Sequence, residues 1–354
     1  MPQDDPTLPE PLYFQQALLG WYDLHGRKNL PWKRDTTPYK VWVSETMLQQ
    51  TQVNTVTPYF LRFMERFPTL ASLSSASQDH VLQHWSGLGY YARARNLHHS
   101  AQLIAGHHDG EMPATLEQLT ALPGIGRSTA GAILSLGFGI RAAILDGNVR
   151  RILSRYINLD GWPGTAANQR LLWAISEHLT PEKRVGDYNQ GLMDLGAITC
   201  TRTRPDCRAC PLQTTCRANR LQCVNAVPAS KPSRSIPVRK NWMLILRDNS
   251  DNIFYLEKRP GIGLWGGLWV FPCFESEADM HTWCHQREIN VAQLEQWPQQ
   301  RHTFTHFHLD YTPVLGRISP FDSVQDSPGG WLRADEALAV PAPVYRLLTT
   351  IARL

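Results

Sequence analysis

The sequence predicts a multidomain protein, in which an all-α domain with a metal-cluster loop is followed by a smaller α+β domain. Three observations support this fold class. Apolar residues recur at helical spacing up to about residue 225, strand-like segments begin only after residue 240, and four cysteines fall between residues 200 and 216. A chain of 354 residues is also long enough to form two domains.

The helical domain is predicted over residues 1–225. Apolar residues lie at helical spacing from Tyr13 to Tyr22, from Val53 to Phe67 and from Leu171 to Leu179. Prolines separate these segments, at positions 31, 68, 113, 123 and 163, and strand-like alternation is absent. This pattern is typical of a bundle of helices joined by short connections.

Residues 226–240, AVPASKPSRSIPVRK, are rich in Pro, Ser and Arg and have few large apolar groups, which predicts a linker. In the segment that follows, Trp242–Arg247 and Ile253–Lys258 resemble two strands joined by a polar turn, and a helical pattern lies near 277–288. We therefore expect residues 241–354 to form the α+β domain.

Charge is divided unevenly along the chain. The net charge is +4, but residues 241–354 hold nine basic and 13 acidic residues, whereas residues 200–240 hold nine basic residues and one acidic residue. A basic segment of this kind favours a polyanionic partner, although a solvated basic linker would have the same composition. We expect no membrane partner, because no apolar run approaches 18 residues. The acidic, Pro-rich start MPQDDPTLPEP is unlike a signal or transit peptide, so we expect a cytoplasmic, nucleoid-associated protein.

The cysteines at 200, 207, 210 and 216 follow the pattern C-x6-C-x2-C-x5-C, and no histidine lies among them. All-cysteine ligation suits an iron–sulfur cubane, whereas structural zinc sites more often pair two C-x2-C knuckles or include histidine. Zinc stays the alternative. A disulfide framework fits poorly in a chain of this size without a secretory signal. We therefore predict that Cys200, Cys207, Cys210 and Cys216 ligate a [4Fe-4S] cluster.

A Gly-containing hairpin is predicted within TLEQLTALPGIGRSTAGAI, residues 115–133. Thr115 and Gln118 can cap a short helix, LPGIG ends it, and a second helix begins at Arg127. The free N–H groups at the start of that second helix are suited to hold a phosphate, so we expect the hairpin to bind a DNA backbone. An ordinary tight turn is the alternative.

Two carboxylates are candidate catalytic groups. Glu45 lies in a segment that is apolar on one face, and partial burial would raise its pKa enough to make it a general acid. Asp146 ends an apolar run in AAILDGNV and is followed by Gly147. A solvated surface charge at Glu45 and a simple helix N-cap at Asp146 are the alternatives.

With these residues in place, the chain resembles the adenine DNA glycosylases of the MutY type, within the helix-hairpin-helix glycosylase superfamily. The segments that carry the resemblance are SETMLQQTQV (44–53), GLGYYARARNL (87–97), LPGIGRSTAGAI (122–133), LDGNV (145–149) and the cysteine loop. The resemblance covers nearly the whole chain. It implies a helix-hairpin-helix fold, a [4Fe-4S] cluster and double-stranded DNA with adenine opposite 8-oxoguanine or guanine as partner. We expect a monomer.

The resemblance also implies roles for individual residues. Glu45 would protonate adenine at N7, and Asp146 would stabilise the positively charged sugar. The remaining contacts to DNA would come from Gln49, Gln50, Tyr90, from the hairpin residues Leu122, Gly124 and Gly126, and from Ser128 and Asn148. Related lyases have lysine where this chain has Ser128, so a monofunctional enzyme that uses water is expected.

The C-terminal part resembles a Nudix hydrolase domain, because GLWGGLWVFP matches the opening of that fold. Residues 275–288 lack the metal-binding pattern R-E-x2-E-E-x-G, so recognition without hydrolysis is expected. In the family, a loop of this domain senses 8-oxoguanine, and here it would consist of Phe304, Thr305 and His306. A metal site or one ordinary strand, with His302, His306 and His308 on one face, is the alternative for this His-rich run.

Three other functions compete with this interpretation. An endonuclease III-like pyrimidine-lesion lyase is disfavoured by Ser128 and by the additional C-terminal domain. A DNA-binding module without catalysis would need neither Glu45 nor Asp146. An active nucleotide hydrolase in the C-terminal half is disfavoured because the expected carboxylates are missing.

Overall fold

The structure, a computed structural model, describes residues 9–232, 235–248, 252–318, 329–334 and 338–353. The start of the N-terminal stretch considered above, residues 1–8, lies outside them. The described chain divides into two compact units. The first, which we call the helical unit, consists of residues 9–75 and 96–232, and the second, the sheet unit, consists of residues 76–95 and 235–353.

The helical unit is built from helices joined by turns. Its helices are α1 (Pro11–His25), α2 (Pro38–Leu48), α3 (Val53–Arg66), α4 (Leu70–Ser74), the greater part of α6 (Ala92–His107), α7 (Leu116–Thr120), α8 (Arg127–Ala132), α9 (Gly147–Ile157), α10 (Ala166–Leu179), α11 (Val185–Ile198) and α12 (Arg217–Arg220). A 3-10 turn covers Pro31–Lys33, and a π-helical segment, Ile133–Phe138, continues α8. The three helices predicted from apolar spacing correspond to α1, α3 and α10.

The sheet unit contains one mixed sheet. Its strands are β1 (Val238–Asp248), β2 (Ile253–Lys258), β3 (Trp269–Val270), β4 (Cys273–Phe274), β5 (Glu295–Gln296), β6 (Gln300–Thr303), β7 (His308–Ile318) and β8 (Gly329–Arg333). The order β3-β2-β1-β7-β5 forms the main path, with the long pair β1 and β7 parallel and their outer neighbours antiparallel. The helices of this unit are α5 (Gln78–Trp85), α13 (Glu277–His285) and α14 (Ala342–Ile351).

Each unit has its own apolar core. In the helical unit, buried side chains of α1, α9, α10 and α11 pack together, among them Leu18, Leu153 and Leu192. In the sheet unit, Leu244 and Leu246 of β1 pack with Tyr255 of β2 and Met280 of α13. The predicted fold class is therefore confirmed. No helix of the described residues is long and apolar enough to span a bilayer.

Two local predictions change with the structure. The strand predicted at Trp242 begins earlier, at Val238, inside the segment that we assigned to a linker. The three histidines of the His-rich run do not share one strand face, because His302 lies in β6, His308 in β7 and His306 in the turn between them. The domain boundaries at residues 225 and 240 stay predictions.

Candidate active site

A cavity of about 890 Å³ opens in the helical unit and collects the candidate catalytic residues. Its wall is formed by α2, by the loop that joins α2 to α3, and by the starts of α8 and α9, with α11 behind them. The structure brings together the following predicted residues there: Glu45, Gln49, Gln50, Ser128, Asp146 and Asn148. These residues come from segments about 100 residues apart in the sequence, so the fold creates this grouping.

Glu45 lies on α2, whose start is fixed by Pro38 and by the Thr37 hydroxyl, which accepts a hydrogen bond from the Lys40 N–H at 3.2 Å. The side chain of Glu45 is half-buried and lines this cavity, and burial, with the nearby charge of Asp146, raises the pKa of its carboxyl group to about 8. Glu45 is therefore protonated at neutral pH and can act as an acid. The predicted partial burial of this residue agrees with the structure.

Asp146 is the N-cap of α9, and its Oδ1 accepts a hydrogen bond from the Val149 N–H at 2.7 Å. Burial raises its pKa above the ordinary value, while the N–H groups of Val149 and Asn148 and the charge of Arg151 oppose that rise. The negative charge of Asp146 itself contributes to the raised pKa of Glu45. The two carboxyl groups therefore differ in their surroundings, because Asp146 accepts backbone hydrogen bonds that favour its charged form, whereas burial and the charge of Asp146 both favour the neutral form of Glu45.

Asn148 connects the cavity to the cysteine loop. Its Oδ1 accepts a hydrogen bond from Arg151 Nη2 at 2.8 Å, and the same guanidinium donates to the carbonyl of Gly196 at 2.7 Å and to that of Cys200 at 2.8 Å. A Cβ at position 196 would collide with the Asn148 side chain, so glycine permits this close approach. Sequence reasoning missed Arg151, although its place one turn after Asn148 on α9 is a signal that could have identified it.

Ser128 lies at the second residue of α8, and its Oγ accepts a hydrogen bond from the Leu145 N–H at 3.0 Å. The hydroxyl therefore holds the backbone directly before Asp146. Nearby, a Cβ at Gly131 would collide with the carbonyl of Ala143, which shows how closely α8 approaches the segment that leads to Asp146. Ser128 can therefore orient Asp146 through the backbone, a role that the sequence did not predict.

The predicted hairpin is present between α7 and α8. Thr115 caps α7 by accepting a hydrogen bond from the Gln118 N–H at 3.2 Å, and α8 begins at Arg127 as expected. Leu122 is buried, whereas Gly124, with φ +81°, and Gly126 are exposed. No side chain caps α8 at Gly126. The backbone of this turn is thus accessible for a ligand.

The remaining predicted DNA contacts do not line this cavity. Tyr90 is 46% exposed and lies in the sheet unit, after α5. Phe304, Thr305 and His306 form the turn between β6 and β7, where the Phe304 ring stacks on Phe307 at 4.5 Å and the other two side chains are exposed. Tyr90 and the turn 304–306 therefore belong to one compact unit.

A second cavity, of about 340 Å³, shares Glu45, Trp32 and Gln190 with the first. Lys33 lines it and donates hydrogen bonds to the Tyr22 hydroxyl at 3.2 Å and to the Arg27 carbonyl at 2.7 Å. Burial lowers the pKa of Lys33 to about 8, in spite of the opposing charge of Asp194. Glu45 thus lines two cavities whose other lining residues differ. Sequence reasoning found neither Lys33 nor Gln190.

The four cysteines of the loop 200–216 line one apolar cavity together, and each is a free thiol. Among the residues that the structure describes, no three His, Cys, Asp or Glu side chains are gathered as a site for one metal ion. Burial and the neighbouring thiols raise the pKa of Cys210 to about 12. Four clustered thiols around an apolar space match the donor set of an iron–sulfur cubane, in which each iron takes one cysteine ligand.

Arg155 fixes the first part of this loop. Its Nη1 donates hydrogen bonds to the Cys200 Sγ at 3.2 Å and to the Thr201 carbonyl at 2.7 Å, and its Nε donates to the Val227 carbonyl at 2.9 Å. The residue is buried, so one guanidinium connects the cysteine loop with the segment that leaves the helical unit. Arg155 follows Arg151 by one helical turn, and sequence reasoning missed it as well.

Comparison with known proteins identifies the family of this chain. Residues 43–178 match the family model of HhH-GPD superfamily base excision DNA repair proteins, and residues 241–350 match the NUDIX domain. The chain is 38% identical over 346 residues to an adenine DNA glycosylase of Buchnera aphidicola subsp. Baizongia pistaciae, with 96% of this chain and 97% of that protein covered. The chain belongs to the adenine DNA glycosylase family.

Two further proteins are similar to this glycosylase in sequence or in fold. It is 35% identical over 389 residues to the adenine DNA glycosylase of Homo sapiens, with 91% of this chain and 70% of the human protein covered. A solved thermostable thymine-DNA glycosylase is 25% identical, has a TM-score of 0.55, and covers 60% of this chain and 97% of its own. The protein is thus a base excision repair enzyme that hydrolyses N-glycosidic bonds, with a helix-hairpin-helix glycosylase domain and a Nudix-like domain.

Proposed function

We propose that this adenine DNA glycosylase hydrolyses the N-glycosidic bond of adenine paired with 8-oxoguanine or guanine, after flipping the adenine out of the duplex. The observation that carries the proposal is the pair of carboxyl groups in one cavity, of which Glu45 holds a proton at neutral pH. Adenine is a poor leaving group until a ring nitrogen is protonated, so an acid at this position supplies what the reaction needs.

In the proposed reaction, Glu45 donates its proton to N7 of adenine and the C1′–N9 bond breaks with its electron pair moving to the base. Positive charge then develops on the sugar, and the carboxylate of Asp146 stabilises it electrostatically. Water adds to C1′ and loses a proton to a carboxylate of the site. The products are free adenine and an abasic strand, and Glu45 and Asp146 return to their starting states.

The second cavity supports base flipping, because it is lined by Glu45 and Trp32 and by the polar groups of Lys33 and Gln190. A flipped purine there would have its ring nitrogens within reach of polar side chains while the sugar stays near Asp146. Flipping costs a few kcal/mol, which side chains inserted into the duplex can offset. Gln49, Gln50 and Tyr90 are proposed to serve in this way, and the hairpin Leu122–Gly126 to hold the backbone.

Monofunctional chemistry is proposed because residue 128 is a serine. A serine hydroxyl is a weak nucleophile without an adjacent base, and that of Ser128 is engaged by the Leu145 N–H. Arg150, whose charge acts on Asp146, is an arginine, and a guanidinium does not form a Schiff base readily. Water therefore attacks the sugar, and the strand stays intact after adenine has left.

A [4Fe-4S] cluster is proposed on Cys200, Cys207, Cys210 and Cys216, and the basic residues Arg202, Arg204 and Arg208 of the same loop are proposed to contact phosphates. When bound, the cluster cross-links the four thiolates and so holds the loop in a fixed shape. Thiols with raised pKa values release protons as they bind iron. Arg155 and Arg151 position the loop against α9 through their bonds to Cys200 and Thr201.

The sheet unit is proposed to recognise 8-oxoguanine through the turn Phe304–His306 without hydrolysing nucleotides. The exposed Thr305 hydroxyl and His306 ring offer polar groups at the tip of this turn, and the stacked Phe304 and Phe307 rings support it. Helix α13 carries EADMHTWCH and so lacks the run of carboxylates that binds metal in Nudix hydrolases. We further propose that the protein acts as a monomer in the compartment that holds the DNA.

One assay tests the proposed function. The protein is incubated with duplexes that carry adenine opposite 8-oxoguanine, guanine or thymine, and with one that carries thymine glycol, each analysed with and without alkali. We expect cleavage after alkali for adenine opposite 8-oxoguanine and guanine alone. Scission of the thymine glycol strand, or strand scission of the adenine duplexes without alkali, would contradict the substrate class or the monofunctional mechanism respectively.

A further inference from the structure

The segment 76–95, although it lies within the N-terminal half of the sequence, belongs to the sheet unit. Three polar contacts attach it. Arg95 Nη1 donates a hydrogen bond to the Gly266 carbonyl at 2.6 Å, the Tyr91 hydroxyl donates to the Val340 carbonyl at 3.0 Å, and Lys258 forms an ion pair with Asp79 at 2.6 Å. The sheet unit therefore supports the loop from which Tyr90 projects.

This loop is built to hold one shape. Gly87, Gly89 and Tyr90 have φ values of +93°, +74° and +49°, which turn the chain sharply after α5. The Gly89 carbonyl accepts hydrogen bonds from Trp85 Nε1 and from Arg93 Nη2, both at 3.1 Å. The Arg93 guanidinium also lies over the Trp85 and Tyr90 rings, at 5.4 and 5.3 Å from their centroids. Tyr90 thus stands at the end of a preorganised turn.

The loop that contains Gly266 also contacts the turn Phe304–His306. We call Arg259–Leu268 the Gly-rich loop. Its Gly267, with φ +75°, packs against Gln78, Leu82 and the stem of Arg95, and a Cβ there would crowd the Gln78 amide at 3.1 Å. Its Trp265 ring lies 6.2 Å from the Phe304 ring. The same short loop therefore contacts the support of Tyr90 on one side and the turn 304–306 on the other.

We propose that the sheet unit, through the Gly-rich loop and Val340, fixes the position of Tyr90 relative to the turn Phe304–His306, with Arg95 and Tyr91 as positioning residues. The ligand is a duplex whose damaged base pair is contacted by both elements. Binding at two points is efficient only when their separation is already set in the free protein, because ordering them afterwards costs free energy. This inference rests on the proposed function, which assigns DNA contacts to Tyr90 and to the turn 304–306.

The test is a double-mutant cycle in the full-length protein. Arg95→Met removes the hydrogen bond to Gly266 but keeps the stem against Gly267, and Tyr91→Phe removes a hydroxyl without changing charge. Each is expected to slow single-turnover excision of adenine opposite 8-oxoguanine by roughly 3- to 30-fold, the range for loss of such hydrogen bonds. In a Tyr90→Ala background, neither substitution should slow excision further, because residues that act through Tyr90 are not additive with it.

A fluorescent base analogue next to the target adenine gives a second readout. Its emission reports unstacking of the duplex, and we expect Arg95→Met and Tyr91→Phe to reduce that signal as Tyr90→Ala does, with unfolding temperatures near that of the wild type. Arg317→Gln, which removes an exposed charge at the end of β7, is the matched control and should leave rate and emission unchanged. Should Arg95→Met not fold, Tyr91→Phe carries the same test.

Two outcomes would overturn the inference. Additive slowing in the Tyr90→Ala background would show that Arg95 and Tyr91 act on DNA directly or on the fold, and unchanged rates of both single variants would show that the contacts do not matter. A wild-type protein that is inactive on this duplex would contradict the proposed function instead. The cycle is then measured on duplex binding, where additivity would again refute the positioning role.

Discussion

At the scale of residues, the proposed chemistry depends on two carboxyl groups whose environments differ. Glu45 lies on a helix with buried neighbours, whereas Asp146 caps α9 and accepts backbone hydrogen bonds. Burial raises the pKa of both carboxyl groups, but at Asp146 backbone N–H groups and the helix N-terminus oppose that rise, whereas at Glu45 the charge of Asp146 adds to it. The acid and the electrostatic stabiliser are thus distinguished by their positions in the fold.

The first prediction concerns these two residues. Glu45→Gln removes the transferable proton and should slow single-turnover excision by roughly 10²- to 10⁴-fold, and Asp146→Asn should do the same by removing the charge that stabilises the sugar. Both variants should still bind the mismatched duplex, because neither role is needed for binding. Excision by either variant at nearly the wild-type rate would refute the assignment.

The second prediction is a pH profile. Because Glu45 must be protonated and its pKa is about 8, excision should be constant near neutral pH and fall about tenfold per pH unit above that value. On the acidic side, the rate should fall when Asp146 becomes protonated. Single-turnover rates are measured across the range, with binding of a duplex that cannot be cleaved as the control. A rate that stays flat as pH rises past the pKa of Glu45 would be inconsistent with its role.

The third prediction follows from Ser128. Ser128→Lys places an amine on α8, in the cavity that holds Asp146, where it could attack C1′ after adenine has left and cleave the strand by β-elimination. We expect the variant to gain borohydride-trappable cleavage, while the wild type yields an intact abasic strand. Loss of the Leu145 hydrogen bond should also slow excision modestly, so Ser128→Ala is the matched control. An active Ser128→Lys variant without trapping would show that residue 128 is not beside the sugar.

At the scale of elements, helix periodicity, prolines and caps were strong local signals, so α1, α3, α7 and α10 could be predicted from the sequence. The hairpin β6–β7 was not, because its turn lies in a run of polar and aromatic residues that alternates like one strand. Arg151 and Arg155 were missed for a different reason. Their partners, the carbonyls of residues 196 to 227, are distant in sequence and become neighbours only in the fold.

The fourth prediction tests the cysteine loop. The purified protein should be yellow-brown and contain about four iron and four sulfide per chain, as expected for a cubane cluster. Arg155→Met should lose iron faster than the wild type, because the carbonyls of Thr201 and Val227 and the Cys200 sulfur would lose their shared donor. Iron analysis and visible absorption measure both. Stoichiometric zinc without iron in anaerobically prepared protein would contradict the cluster.

At the scale of the whole molecule, one segment from the first part of the sequence makes its contacts with residues far along the chain. The boundary near residue 225 stays a prediction, and by its contacts the segment 76–95 belongs to the sheet unit. Local sequence patterns could not predict these contacts, since GLGYYARARNL lies within the part of the sequence that is predicted to be helical. The two parts are therefore linked by more than the connection near residue 230, and removing one of them also removes the partner of α5 and of the Tyr90 loop.

The last prediction separates two proposed effects of the sheet unit, the support of Tyr90 and the recognition of 8-oxoguanine. Deletion of residues 230–354 should leave some excision of adenine opposite guanine and erode the preference for 8-oxoguanine, but it should also slow both reactions because Tyr90 loses its support. Substituting the exposed Thr305 or His306 with Ala leaves that support in place, so these variants should lose the preference while excision opposite guanine stays near the wild-type rate. Rates for the two duplexes are compared in each protein. If the preference survives in the deletion variant, the helical unit alone recognises the lesion. If the two alanine variants match the deletion variant on both duplexes, recognition of the lesion and support of Tyr90 are not separable.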